Sequence, residues 1–274
     1  MCIRDRFLDS ASLRSSIVSH AKMLGYEVSS PRAPIATINV SLTTTNATAT
    51  MSAGTTFNTT VDGVNYQFVT ISDVTSRNTG SSIPFDSLEI YEGTFTRTKY
   101  IVDSQEADQR FMLTDVRADT TTLTVKVQNS ATNLNAETYS QSETIAGVKS
   151  TSKVYYLEER TDGYYQVVFG DGVLGKQLDV GNIVICEYII SNGTRGNGAR
   201  AFSPPTNITG NQETLNGKTK AVAAGGYELE TTDSIRFNAP RFNSAKGRVV
   251  TSTDYETAIK QSNPNIKSVT VWGG

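Results

Sequence analysis

Ile35-Ala36-Thr37-Ile38-Asn39-Val40-Ser41-Leu42-Thr43 decides the fold class, because apolar and polar residues alternate through it without a break. Side chains of a strand point alternately to its two faces. A period of two therefore puts Ala36, Ile38, Val40 and Leu42 on a buried face and Thr37, Asn39 and Ser41 on a solvated one. Similar short runs recur at residues 66–71, 88–91, 99–102, 110–114, 123–127, 153–158, 164–169 and 182–190. Turn chemistry separates them at Asp62-Gly63, Glu92-Gly93, Asp162-Gly163, Gly170-Asp171-Gly172 and Asn192-Gly193. No repeat of fixed length is present. The pattern predicts a mainly β chain, with antiparallel sheets in two β-rich units over residues 35–205. A Thr-rich β unit near 84–145 is expected as an insertion between the halves of the other.

The flanks read differently. Leu13, Ile17, Ala21 and Leu24 fall on one stripe at helical spacing, predicting a helix over 10–24 with Gly25 at the left-handed cap position. The partner of that stripe is left open: the β-region, helices upstream, or another subunit. Pro31 and Pro34 then mark an extended linker, so residues 1–34 form a helix and its connection. Residues 206–230 are the least periodic stretch, with Pro204-Pro205 before them and Gly210, Gly217 and Gly225-Gly226 inside, and predict a long loop. From 231 to 274 the sequence reads as the start of an α+β unit. A helix starts with Thr251 capping alongside Asp254, or with Thr253 and Glu256 at capping-box spacing. It runs to about Ser262, stops at Asn263-Pro264, and is followed by a strand over 266–272. A unit that ends just after its first helix and strand, at Gly273-Gly274, leaves apolar faces uncovered. The opening Met1-Cys2-Ile3-Arg4-Asp5-Arg6 resembles translated adapter sequence. The expectation is a chain truncated at both ends.

Composition narrows the function. The chain has 274 residues, with 19% charged and 37% hydrophobic. About one residue in seven is Thr, whose stiff β-branched side chain suits the solvent side of a strand. Net charge is −2 and the basic residues Arg97, Lys99, Arg110, Arg117 and Lys126 are scattered singly. A nucleic-acid partner would call for a basic cluster, so none is expected. No apolar run approaches the ~20 residues of a membrane helix, and no apolar segment of a secretory signal follows the early charges. Setting Cys2 aside, Cys186 stands alone inside an apolar run, so neither a disulfide framework nor a thiol metal site is predicted.

Candidate chemistry is sparse. Gly170-Asp171-Gly172-Val173-Leu174-Gly175 spells the dinucleotide fingerprint after a strand. That fingerprint needs a following helix whose N-terminus holds a pyrophosphate, and Lys176 to Gly181 is too short and ends in glycine. A β-turn excursion is the better reading, with the glycines at 170, 172 and 175 permitting positive φ and Asp171 bonding its own turn. Glu158, Glu159, Asp162 and Asp171 are the carboxylates that glycosidase-type chemistry would draw on, but all lie in or beside turns. The lone His20 has no second His or Cys pair nearby and reads as a surface or interface residue. Sequons at Asn46, Asn58, Asn192 and Asn207 are what chance gives in so Thr-rich a chain. Tyr155-Tyr156 and Tyr164-Tyr165 are expected to send one ring of each pair into the core. No catalytic residue, cofactor or metal is predicted.

The run Tyr155-Tyr156-Leu157-Glu158-Glu159-Arg160, then Gly163 through Phe169-Gly170-Asp171-Gly172 to Gly175, then Gly181-Asn182-Ile183, resembles the central motif of the baseplate J-like family. Asn192-Gly193-Thr194-Arg195-Gly196-Asn197-Gly198, Ala239-Pro240-Arg241-Phe242, Arg248-Val249-Val250 and Asp254-Tyr255 continue the pattern. Leu88-Glu89-Ile90-Tyr91-Glu92-Gly93 and the Thr-rich segment after it look most like wedge proteins of T-even-type contractile-tailed phages. The resemblance implies a virion structural protein that forms dimers and joins wedges into a ring around the tail hub. It implies contacts to other wedge proteins and to the sheath-initiating protein, assembly in the host cytoplasm, and no catalytic residues. On that reading Phe169, Gly170, Asp171, Gly172, Gly175, Gly181, Gly193, Gly196 and Asn197 are structural turns. Thr251, Asp254 and Tyr255 mark a helix start, while Leu13, Ile17, His20 and Leu24 offer an interface. The competing reading is a carbohydrate- or receptor-binding β-module of a virion or cell surface.

Overall fold

A computed structural model describes residues 7–103, 109–142, 145–160, 162–203, 214–245, 251–262, 266 and 268–272. The opening hexapeptide with Cys2, Pro204-Pro205, Asn207, Gly210, Arg248-Val249-Val250, Asn263-Pro264 and Gly273-Gly274 lie outside the described residues. Helix α1 (Arg14–Met23) comes first, then β1 (Ile35–Thr43), β2 (Thr48–Met51), β3 (Thr56–Val61), β4 (Val64–Val69), β5 (Val74–Arg77) and β6 (Ser82–Glu92). Next come β7 (Thr94–Ile101), β8 (Arg110–Met112), β9 (Ala118–Gln128), β10 (Ala136–Gln141), β11 (Val154–Glu159), β12 (Tyr165–Phe169) and β13 (Ile183–Ile190). The described chain closes with β14 (Thr214–Ala224), α2 (Thr232–Ala245) and α3 (Ser252–Ser262). The protein is mainly β, as the alternation requires.

The first sheet has strand order β14-β1-β6-β4-β3, antiparallel throughout. Its inward face carries Ala36, Ile38, Val40, Leu42, Phe57, Phe68 and Ile90, and the ribbon β2–β5 adds Ala49 and Met51 to the same core. Asp62 (φ 49°) and Gly63 (φ 81°) form the two-residue reversal between β3 and β4 that their sequence calls for.

The second sheet runs β7-β13-β9-β10-β11-β12-β8, antiparallel except for the parallel pair β10–β11. It curls until its edge strands meet through side chains. Tyr100 of β7 packs at a tilt of 41° against Phe111 of β8 with ring centroids 5.5 Å apart, and its hydroxyl donates to the Met112 carbonyl. Curling covers edges that would otherwise invite another strand.

All of β7 to β13 lies in the chain between β6 and β14 of the first sheet, so the second sheet interrupts the sequence of the first. Its span corrects the 84–145 expectation. Residues 84–92 belong to β6, while β13 pairs with both β7 and β9 and β11 pairs with β10, which keeps the chain beyond 145 in the inserted sheet. Threonine richness had marked solvated faces rather than a boundary.

Residues 214–224 of the expected loop form β14, paired with β1 from Thr43↔Thr214 to Ile35↔Ala224. This strand is an edge with only Ala223 buried among 216–224, so it shows no apolar alternation. Helix α1 starts at Arg14, because Leu13 is extended (φ −87°, ψ 133°) and residues 7–11 close a turn of their own. Helix α2 was not anticipated, since it contains Pro240, which removes a helix donor. Residues 266 and 268–272 form no strand and have no strand partner among the described residues; the Val271 N–H instead donates to Glu256 at 3.1 Å.

Helix α1 finds its partner in this chain. Ile17, Val18 and Ala21 are buried with Ile235 and Ala239 of α2, and Phe242 packs edge-on against Tyr26 at 5.9 Å. Gly25 (φ 77°) closes α1 as expected, with the Tyr26 N–H donating to the Ala21 carbonyl at 2.9 Å.

Candidate functional site

The two glycine motifs singled out by sequence do not meet. Gly181 precedes β13 and Gly193 follows it, so the eight residues of that strand hold them roughly 25 Å apart. The first motif is a self-contained turn. Phe169 anchors it in the core against Phe111 (5.8 Å) and Tyr139 (5.4 Å). Asp171 accepts from the backbone N–H of Val173 at 2.9 Å and Leu174 at 3.0 Å, and those bonds hold its carboxyl below the usual range. Gly172 (φ 87°) and Gly175 (φ 104°) take the left-handed conformations expected, but Gly170 does not. A Cβ at Gly170 would stand 2.4 Å from the Leu174 carbonyl oxygen, so close approach demands its glycine. No helix follows, and the fingerprint has no nucleotide-binding context.

The second motif builds the site that holds the molecule together. Gly193–Gly196 is a single 3-10 turn where the chain leaves the second sheet and rejoins the first. Glu92, at the end of β6, is fully buried beneath it. One carboxylate oxygen accepts from Ser191 Oγ (3.0 Å) and the Asn192 N–H (2.9 Å), and the other from Asn192 Nδ2 (2.7 Å). The Glu92 N–H itself donates to the Pro34 carbonyl at 2.9 Å. A Cβ on Gly196 would stand 2.6 Å from Glu92 Cγ, which explains that glycine. Asn197 donates to the Gly226 carbonyl (3.2 Å) and accepts from the Gly226 N–H (3.0 Å). Glu228 accepts from the Thr194 N–H (3.1 Å) and hydroxyl (2.9 Å).

The linker between α1 and β1 is tied in by the same chemistry. Asp119, at the start of β9, is buried and accepts from the Ala33 N–H (2.8 Å), the Thr121 N–H (2.9 Å) and the Thr121 hydroxyl (2.6 Å). Burial raises its pKa despite these donors. Glu230 accepts from Tyr26 Oη (2.8 Å), the Ser29 N–H (3.1 Å) and Ser234 Oγ (2.7 Å). Arg14 of α1 grips Glu159 of β11 through Nε (3.1 Å) and a second guanidinium nitrogen (3.3 Å). Burial still raises the Glu159 pKa, opposed by the Arg14 charge. A small apolar cluster of Ala33, Val69 and Ile189 seals the same joint.

Each of these carboxylates receives donors from another segment, so the arrangement ties segments rather than presenting an acid and a base. Glu158 and Glu159 are neighbours on β11 and face opposite sides of the sheet. Glu158 pairs with Arg110 at 3.1 Å, and Asp162 with Arg160 at 3.1 Å. The four candidate carboxylates thus share no cleft. Among the described residues no group of three or more His, Cys, Asp and Glu is placed to hold a metal, and no helix is long and apolar enough to cross a membrane. Cys186 is fully buried and its thiol is pushed up to about 12 by burial.

The remaining sequence candidates separate. Thr251 and Asp254 cap α3 reciprocally: the Thr251 N–H donates to Asp254 (2.8 Å), and the Asp254 N–H to the Thr251 hydroxyl (3.2 Å). The Tyr255 N–H donates to the Thr251 carbonyl at 3.1 Å, while Thr253 lies inside the helix. Of the four interface candidates, Ile17 is core and covered by α2, Leu24 packs on that core and His20 is half-buried. Leu13 alone is well exposed, at 58%. Tyr155 and Tyr165 are buried while Tyr156 and Tyr164 are only partly so, as their pairing predicts. Sequence reasoning missed Glu92, Asp119, Glu228 and Glu230. An acidic residue closing the alternating run Leu88-Glu89-Ile90-Tyr91 was the one available signal, and it read as half of a turn.

No family model matches the sequence. The chain is similar to the baseplate wedge protein gp6 of Enterobacteria phage T4. The two are 28% identical over 290 aligned positions, covering 94% of this chain and 42% of that relative. The chain therefore spans about two fifths of the relative's length. The resemblance to the wedge proteins of T-even-type phages is borne out, and it runs through almost the whole chain.

Proposed function

We propose that this chain is a structural component of a phage tail baseplate wedge, and that it works by presenting two rigidly joined β units to neighbouring tail proteins. The observation that carries the reading is the similarity to the wedge protein over 94% of the chain. The joint supports it physically: buried carboxylates that tie segments together fix the relative placement of the two sheets, which suits a part that must hold position in an assembly. In this reading the chain associates with itself and with other wedge proteins and the sheath-initiating protein, joins wedges into a ring around the hub, and resides in the virion after assembly in the host cytoplasm.

Sedimentation velocity on the purified chain, alone and mixed with the tail proteins encoded beside its gene, tests this. Concentration-dependent complexes with those proteins are expected. Glycan-array binding without any such complex would instead establish a receptor-binding module.

A further inference from the structure

Strand β10 ends at Gln141, whereas β9 continues back to Ala118 and β11 runs on to Glu159, so a gap opens in the second sheet between β9 and β11. The linker after α1 crosses this gap. Tyr165 Oη donates to the Val28 carbonyl at 3.3 Å, and Ser30 and Thr120 join hydroxyls at 2.8 Å. A cleft of about 270 Å³ remains, walled by Val18, Val28 and Leu157, with Lys22, Arg32, Ser29 and Gln141 supplying donors.

The charges in this cleft are unevenly engaged. Arg32 has its backbone fixed by a two-way bridge to Tyr227 (2.9 and 3.0 Å), and its side chain is half-buried. Yet its guanidinium has no hydrogen bond or ion pair among the described residues. Asp119, close enough to act on it through space, is already filled by three donors from Ala33 and Thr121. Glu159 on the far wall is occupied by Arg14, and Lys22 reaches Glu158 only at 4.0 Å. A planar guanidinium without a bonded anion, carried on an anchored backbone, is the group that takes a carboxylate through two parallel bonds. Glu27 at the rim and Glu159 at the wall would repel a dianion, so the same surroundings disfavour phosphate.

We infer that this cleft is a carboxylate-binding site, with Arg32 as the fork and Lys22 as the supporting charge, taking a single carboxylate on a short aliphatic stem. An acidic side chain or chain end of a partner polypeptide and a free small carboxylate share this chemistry. The inference is independent of the baseplate reading, because the isolated chain suffices to test it.

Backbone amide NMR of the full chain, titrated separately with butyrate, an acetylated and amidated hexapeptide containing one glutamate, and inorganic phosphate, decides the matter. Saturable shifts in the millimolar range at residues 29, 30, 120, 121 and 141 are expected with the first two. Tighter binding of the hexapeptide marks a partner-borne carboxylate, and equal binding a free one; both sustain the site. Arg32→Gln is expected to weaken binding by about tenfold or more, the loss of one charge-assisted pair. Its amide spectrum should otherwise persist, because the Tyr227 bridge uses only backbone. Should that variant unfold, Arg32→Lys, which keeps the charge and loses the fork, should still weaken binding severalfold. Absence of saturation, preference for phosphate, or unchanged affinity in these variants would overturn the assignment.

Discussion

Strands β1 and β13 each sit second from an edge of their sheets, yet they are buried differently. β1 alternates, with Ala36, Ile38, Val40 and Leu42 inward and the residues between them partly exposed. In β13 six consecutive residues are buried. Val184, Cys186 and Tyr188 face the main core of the second sheet, while Ile189 joins Ala33 and Val69 at the joint. Glu187 on the outer face is covered by Arg97 (2.6 Å) and Lys126 (2.8 Å). One strand therefore belongs to a sheet with a wet side, and the other to a sheet whose outer face is partly used for attachment. Two-sided burial in an antiparallel sheet locates the place where something else must dock.

The sharpest way to break this attachment lies at Gly93, between β6 and β7. Its φ is 123°, and a Cβ there would sit 2.2 Å from the Ile190 carbonyl oxygen. Gly93→Ala is expected to cost at least about 3 kcal/mol, read as a fall in the urea midpoint, because conformational strain and collision with backbone add. Gly63→Ala, in the first sheet's hairpin, meets nothing within 4 Å at φ 81° and should cost only about 1–2 kcal/mol. Equal losses would mean that the contact with Ile190 does not matter.

A smaller effect is expected from Glu92→Gln. Its two oxygens take three donors in full burial, so an amide leaves at least one donor unmatched, at about 1–3 kcal/mol. The same change at the half-exposed Glu158 should shift the midpoint by less than about 1 kcal/mol. Parity between the two would remove Glu92 from the joint.

The finest distinction is the pH dependence of stability. Burial raises the Asp119 pKa above 3.8, so its contribution is present below that value and is lost as pH rises through the folded pKa. For Glu187, burial pushes upward but the bonds and charges of Lys126 and Arg97 outweigh it, leaving the pKa below 4.5. Its contribution is present above 4.5 and is lost as pH falls through the lowered value. Denaturation at a series of acid pH values should therefore show Asp119→Asn and Glu187→Gln changing the slope in opposite directions.

The regions legible in the sequence are those whose burial is one-sided. β1 announces itself through alternation, α1 through its stripe, and the FGDG turn through glycine and aspartate chemistry that acts within a few residues. β14 escaped because an exposed edge strand is held by its ladder with β1 rather than by apolar side chains, and its Gly217 read as loop. Pro240 concealed α2, although Ile235 and Ala239 are its buried positions. The joint was the least legible part. Glu92 and Asn192 are 100 residues apart, and Asp119 and Ala33 are 86 apart. Such pairs acquire meaning only once topology brings them together.

The pairing of β1 with β14 also governs how the molecule answers a pull. Ile35 and Ala224 face each other at one end of the ladder, so the chain enters β1 and leaves β14 side by side. Tension between the segments flanking them would open that ladder like a zipper, starting at the Arg32–Tyr227 bridge and proceeding rung by rung toward Thr43 and Thr214. The inserted sheet leaves at Gly93 and returns beside it at Ile190, so its covalent connections lie outside that line of force.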